Sequence, residues 1–307
     1  MHKLLAALFG ALLVFSFPVS ASELSDSVKK DYDDYLAALW DHFHRNPELS
    51  QAEFRTAARI AEELRAAGFD VTEGVGGTGV VAVLENGAGP LVMMRADMDG
   101  LPVEEKSGLP NASTATQLSP LSGKEEPVMH ACGHDVHITS LVGTARQMAS
   151  RKDQWSGTLM LVAQPDEEMG GGAATLRKDG IWERFGTPDY ALALHIRSET
   201  VAGSINASEG SPYAGVDTVD IIVHGVGAHV ASPHRGKDPI VLGSQIVLPL
   251  QTRVSRELAP REPGVVTVGA FHDRGGDRTV KDSATYQNYY DYVTGLGKRA
   301  PLYIGDT

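Results

Sequence analysis

The sequence predicts an α/β protein: a larger domain on an open sheet with its chemistry along one edge, followed by a smaller two-layer α/β module. Three observations carry this. Apolar strand segments at 90–94, 157–163 and 189–196 are separated by helical stretches, and each runs into polar residues at its carboxyl end. From Val216 the texture changes to alternating apolar and polar residues, in DTVDIIVHG and VVTVGAF, around one helical segment at 239–257. Between the first two strands, residues 129–137 (MHACGHDVH) hold the only cysteine, three histidines and an aspartate.

Residues 1–21, MHKLLAALFGALLVFSFPVSA, read as a secretory signal with a short basic start and an apolar stretch. Small residues at Val19 and Ala21 place the expected cleavage after Ala21. The apolar stretch is shorter than the ~20 residues a membrane span needs. The chain is therefore expected to be secreted or periplasmic, with no membrane contact after signal removal. With Cys132 as the only cysteine, no internal disulfide can form. In an oxidising compartment, a lone thiol is better explained as a metal-held thiolate than as a staple. The net charge of -12, without a basic run, argues against nucleic acid or an anionic membrane as partner.

Residues 24–67 read as helices, because Tyr35, Leu36, Leu39 and Trp40 recur at helical spacing; Pro47 interrupts them and Gly68 ends them. Two short strands follow, around Val71 and at 80–84. Between them GVGGTG, at 74–79, has the spacing of a dinucleotide-binding loop. A strand follows where that loop needs a helix, so a hairpin turn is expected. Beyond the strand at 90–94, Asp97 and Asp99 alternate and share one side of an extended segment. An Asp-x-Asp-Gly phosphotransfer motif competes for this stretch. Arg95 and Leu101 depart from that pattern, and it leaves Cys132 and His134 unexplained. A polar loop at 107–127 leads to the cluster, and a helix is expected from about Ile138 to Ser150.

Cys132 and His134 alternate across one residue, so on a strand end or loop both can turn toward one point. Thiolate and imidazole suit zinc, cobalt, nickel or manganese. Glu167-Glu168 follows the second strand. On an extended segment their side chains point opposite ways, so one can coordinate metal while its neighbour faces water. That arrangement serves metal-assisted hydrolysis, with a free carboxylate moving the proton.

Through HRNPELSQAEFRTA, GGTGVVAVL, MRADMDGLP, MHACGHDVH, QPDEEMGGG, ALALHI, HGVGAHVASPHRGKDPI and LQTRVSRELAP, the chain resembles the aminoacylase/carboxypeptidase-type metal-dependent amidohydrolases. Its best match is the branch of N-acyl-amino-acid amidohydrolases, hippurate hydrolases and auxin-conjugate hydrolases. The resemblance implies an aminopeptidase-like catalytic domain with a mixed sheet, at 22–210, and a smaller dimerisation lid at 211–272. It implies cleavage of N-acyl amino acids by metal-activated water, with dipeptidase or carboxypeptidase action as a further reading. It places metal ligands at Cys132, His134, Glu168 and His195, for one or two divalent ions, and the general base at Glu167. Asp97 and Asp99 fall in a supporting acidic motif. His229 matches a histidine that reaches the site of a homodimer partner, to stabilise the oxyanion or hold the substrate carboxylate. His130, His137 and Asp135 either orient ligands or cap the following helix.

The tail at 273–307 departs from the family pattern, which continues the catalytic domain and supplies one more histidine ligand. The expectation is a lid left incomplete and a sheet edge without its partner strands. A noncatalytic relative is the alternative reading.

Overall fold

The structure, a computed structural model, describes residues 21–207, 209, 219, 221–229, 231–260, 264–271, 284–285 and 301–304. The expected signal segment up to Ser20, and His272, lie outside the described residues.

The chain opens on a helical arm: α1 (Ala21–Asp31), a π-helical turn (Tyr32–Leu36) and α2 (Ala37–Arg45), with α3 (Phe54–Ala66) after the break at Pro47. β1 (Asp70–Val75) and β2 (Gly79–Asn86) form the antiparallel hairpin expected around GVGGTG. β3 (Leu91–Asp97) follows. The stretch read as a plain polar loop contains a small antiparallel pair, β4 (Thr116–Leu118) and β5 (Glu125–Pro127). Then come α4 (His134–Ala149), β6 (Gly157–Gln164), α5 (Gly172–Lys178), α6 (Ile181–Phe185) and β7 (Tyr190–Ala193).

The main sheet has the order β1-β2-β6-β3-β7. It is mixed: β3 runs parallel to β6 and β7, while β2 is antiparallel to β1 and β6. Alternation along the central strand β6 builds a core on each face. Leu159, Leu161 and Ala163 pack with Leu39, Phe43, Ile60, Leu64, Ile138 and Leu141 from the helical arm, α3 and α4. Met160 and Val162 point the other way, toward Leu176 of α5 and Ile181 of α6. A strand buried on both faces explains the unbroken apolar run GTLMLVAQ.

Two expectations need correction. Helix α4 begins at His134, not near Ile138, because Gly133 turns the chain through the left-handed region at φ 79°. The third strand, expected buried over 189–196, is four residues long and lies at the end of the sheet. It pairs only with β3 among the described strands, so Tyr190 and Leu192 are 64% and 60% exposed.

The smaller module contains β8 (Ile221–Ile222), α7 (Pro239–Thr252) and β9 (Ala270–Phe271). Asp238 caps α7 by accepting from the N–H groups of Ile240 and Val241, with Pro239 at the first turn. A π-helical turn carries α7 on to Glu257, as the sequence reading anticipates. The tail contributes β10 (Ala284–Thr285) and β11 (Pro301–Ile304), and β11 pairs in parallel with both β8 and β9. Among the described residues no helix is long and apolar enough to cross a membrane.

Candidate metal centre

The carboxyl ends of β3 and β6 lie side by side, with Asp97 opposite Gln164. Whatever follows either strand is delivered to the same edge. Asp97 and Asp99 arrive from β3, Glu167 and Glu168 from β6, and His195 from beyond β7. Cys132 sits in the turn before α4, and His134 is that helix's first residue. Gly133 is required between them: a Cβ there would lie 2.1 Å from the side chain of Ile196. That close approach brings Cys132 Sγ to 3.4 Å from His195 Nε2.

His134, fully buried, is the hub. Its Nδ1 lies 3.3 Å from Asp99 Oδ1, and its Nε2 lies 3.7 Å from Asp97 Oδ2, 3.7 Å from Glu168 Oε1 and 3.8 Å from Glu167 Oε2. Asp99 is fixed through its other oxygen, which accepts from Ser50 Oγ at 2.7 Å and from the Glu168 N–H at 2.9 Å. One turn along α4, His137 Nδ1 meets Asp97 Oδ1 at 2.5 Å while its Nε2 accepts from the Ile196 N–H at 3.0 Å. The proton on the His137 ring therefore faces Asp97. His195 Nδ1 faces the Ile196 carbonyl at 2.6 Å. A carbonyl only accepts, so Nδ1 carries the proton and Nε2 turns a lone pair toward Cys132.

The glutamate pair is not extended. Glu167 to Gly170 is a turn closed by the Gly170 N–H on the Glu167 carbonyl at 2.8 Å. Both carboxylates still reach His134, but unequally: the Glu168 side chain is 1% exposed and that of Glu167 34%.

Burial tends to raise the pKa of Asp97, yet the His137 hydrogen bond, His134 and Arg95 together hold it below the usual carboxylate range. Burial works against a charged His134, but Asp99, Cys132 and Asp97 raise its pKa well above the ordinary value. Burial lifts Cys132, opposed by His134, and it lifts Glu167 as well. Acids gathered this closely call for a cation. The donors fall into three groups sharing His134, namely Cys132 with His195, Asp97 with His137, and Glu167 with Glu168, each with ligand atoms within 4.8 Å of one another. Thiolate, imidazole and carboxylate in one buried cluster fit a divalent ion.

Seven of the eight candidate side chains thus converge: Asp97, Asp99, Cys132, His134, Glu167, Glu168 and His195. His229 does not. It is exposed, its Nδ1 accepts from the Ala231 N–H at 3.1 Å, and it belongs to none of the three donor groups. The structure adds Ser50, which holds Asp99, and Arg95, which pairs with Asp97 at 2.7 Å. His137 proves to orient Asp97. Asp135 is not the cap of α4, which follows Gly133 without a side-chain cap; its carboxylate meets His44 Nδ1 at 2.8 Å and accepts from the adjacent Val136 N–H, and it belongs to none of the three donor groups.

Fold and site together define an α/β protein with a cluster of side chains able to hold a metal ion at the carboxyl edge of a mixed sheet. Residues 93–290 match the description "Peptidase family M20/M25/M40", and the chain belongs to that family. It is 36% identical over 253 residues to N-acetyl-L-cysteine deacetylase of Bacillus subtilis, covering 82% of this chain and 58% of that one. It is 39% identical over 243 residues to hippurate hydrolase of Campylobacter jejuni, covering 79% of this chain and 60% of the relative. The crystal structure of the YXEP protein of Bacillus subtilis, described as a dinuclear metal binding peptidase from the M20 family, superposes with a TM-score of 0.52. It is 28% identical, over 73% of this chain and 57% of that one. The chain thus spans somewhat under two thirds of each of these relatives.

Proposed function

We propose that the protein is an exported metal-dependent amidohydrolase that cleaves the amide bond of N-acyl amino acids, hippurate-like conjugates among them. The observation that carries this reading is the unequal burial of two adjacent glutamates at one imidazole: Glu168 is enclosed, while Glu167 is largely buried but keeps part of its carboxylate exposed. A carboxylate enclosed beside the imidazole is placed to hold an ion with it, and a partly exposed one can also meet a substrate.

Cys132, His134, Glu168 and His195 would hold one or two ions of manganese, zinc, cobalt or nickel. Such an ion supplies Lewis acidity, lowering the pKa of water and polarising a carbonyl. Glu167 takes a proton from the water that attacks the amide carbon, then passes it to the nitrogen as the C–N bond breaks. The products are a carboxylic acid and a free amino acid. Burial raises the pKa of Glu167 and so strengthens it as a base. Asp99 and His137 orient His134 and Asp97. The smaller module, 211–272, forms a dimerising lid from which His229 reaches the partner's site. Relatives named for deacetylation of N-acetylcysteine and hydrolysis of hippurate support the substrate class.

The test is amino-acid release from a panel of N-acyl amino acids, hippurate included, with manganese or zinc and with Glu167→Gln beside the parent. Metal-dependent turnover is expected, falling by about 10²- to 10⁴-fold in the variant as for loss of a general base, while metal affinity changes little. Turnover that survives Glu167→Gln removes the glutamate from its role. A folded, metal-loaded parent without turnover on any member overturns the activity.

A further inference from the structure

Among the described residues only Gln51, at φ 67°, and Asp166, at φ 51°, take left-handed backbone without being glycine. Residues other than glycine stay in this region where their surroundings over-determine it. The two lie in different loops, yet both donate their N–H to one atom, Glu53 Oε1, at 3.0 and 2.8 Å. Glu53 is fully buried, and its Oε2 accepts from Thr78 Oγ1 at 2.5 Å, in the turn between β1 and β2. Gln51 Nε2 adds a second link to Asp166, donating to its Oδ2 at 3.3 Å.

Asp166 immediately precedes Glu167 and Glu168, so the direction in which the chain presents them starts from its torsions. The loop that carries Glu53 also grips the other acidic arm. Ser50 holds Asp99, and the Gly100 N–H donates to the Glu48 carbonyl at 2.6 Å. The Glu168 N–H then closes the circuit on Asp99.

We propose that Glu53 is a positioning residue, which sets Glu167 and Glu168 against His134 by pinning Asp166 in its left-handed conformation. Glu53 belongs to none of the three donor groups, so it acts through backbone. The proposal rests on the metal-centre reading for its consequence in catalysis, but the brace is made of the chain's own atoms and can be measured in metal-free protein. Oε1 takes both N–H groups whether the carboxyl is ionised or neutral. A glutamine can therefore replace it, with the carbonyl toward Gln51 and Asp166 and the amide toward Thr78 Oγ1. A methionine fills similar volume and accepts from neither N–H.

Two measurements on the full chain separate the brace from the reading it serves. The first is amide hydrogen exchange around Asp166 in metal-free protein, with Glu53→Met and Glu53→Gln beside the parent. Faster exchange in Glu53→Met and near-parental protection in Glu53→Gln are expected; unchanged protection in Glu53→Met overturns the proposal. The second is manganese or zinc affinity with steady-state kinetics on hippurate. Glu53→Met should lose about 10- to 100-fold in metal affinity or turnover, the usual effect of removing an outer-shell partner. That loss should fall on kcat more than KM, with rescue by Glu53→Gln. Parental affinity and kcat in Glu53→Met would also overturn it. A parent that binds no metal, with exchange still altered in Glu53→Met, would leave the brace standing and remove the metal centre instead. Should Glu53→Met fail to fold, Thr78→Val removes the Oε2 contact alone and should shift exchange at Asp166 in the same direction.

Discussion

His134 divides its two nitrogens between tasks. Nδ1 faces Asp99, and Nε2 faces Asp97, Glu167 and Glu168. Reading the residues was enough to find these groups, because metal-ligating types crowd together at strand ends and each strand delivers its carboxylates to one edge. Glu53 was not legible in the same way. In HRNPELSQAEFRTA it is one acid in a polar stretch, and nothing local signals that two N–H groups from distant loops converge on it. It carries a consequence of its own. Burial, opposed by Thr78 and the Asp166 N–H, raises its pKa from 4.5 to about 7. A carboxyl raised in the folded state stabilises fully below its unfolded value, and that contribution is lost as pH climbs through the folded value. Each unit is worth about 1.4 kcal/mol, so metal-free protein should lose about 3 kcal/mol relative to Glu53→Gln between pH 4.5 and 8. Denaturant midpoints of the two proteins at pH 5 and pH 8 check this. A difference that does not change with pH would mean Glu53 is ionised throughout.

Among the elements, the start of α4 shows how a local backbone feature makes a site. Gly133 provides the left-handed turn that lets His134 begin the helix, and its missing Cβ admits Ile196. Cys132 and His134 are legible together on a strand end or loop, but the helix is expected only after the cluster, near Ile138, since Cys, Gly, His and Asp give little apolar periodicity from which to see a helix begin. The glutamate turn escaped for a related reason. QPDEEMGGG looks like strand exit, and although aspartate tolerates the left-handed region, most aspartates do not enter it, so Asp166 alone does not announce the bend. The two-face burial of β6, by contrast, was plain from its unbroken apolar run. At Gly133, alanine adds a Cβ where φ is 79° and where Ile196 Cδ1 lies 2.1 Å away. The backbone strain is about 1–2 kcal/mol; Ile196 is flexible and can partly yield. Gly133→Ala should therefore lower the melting midpoint by roughly 2–4 °C per kcal/mol in a domain of this size. It should also weaken zinc binding, because Cys132 and His195 meet across this turn. Calorimetry and a chelator competition measure the two effects. An unchanged zinc affinity would show that the turn does not set the thiolate's position.

In the whole molecule, the fold class was legible because three strands discharge polar residues at the same end, and that regularity survives in the parallel register of β3, β6 and β7. The exposure of β7 was not legible, because its apolar run reads like that of a buried strand, and the pairing of β11 with β8 and β9 was not either, since the tail carries no alternation of the kind that marks the other strands. Folding also gathers four carboxylates and a thiol around one buried imidazole, which is costly unless a cation is present to offset the repulsion. Such an ion binds the folded chain and not the unfolded one, so it stabilises by mass action: about 2.7 kcal/mol at a hundredfold excess over its Kd, and about 1.4 kcal/mol for each further decade. Stripping the protein with a chelator should lower its melting midpoint, and returning manganese or zinc should raise it in proportion to the logarithm of free metal. Glu168→Gln and Cys132→Ser should each flatten that dependence, because each replaces an anionic donor of the cluster with a neutral, weaker one, while substitution of the exposed His229 should leave it intact. A midpoint indifferent to metal in the parent would mean that the acids at the sheet edge are held apart by the protein alone, and the hydrolytic reading would fall with the ion it requires.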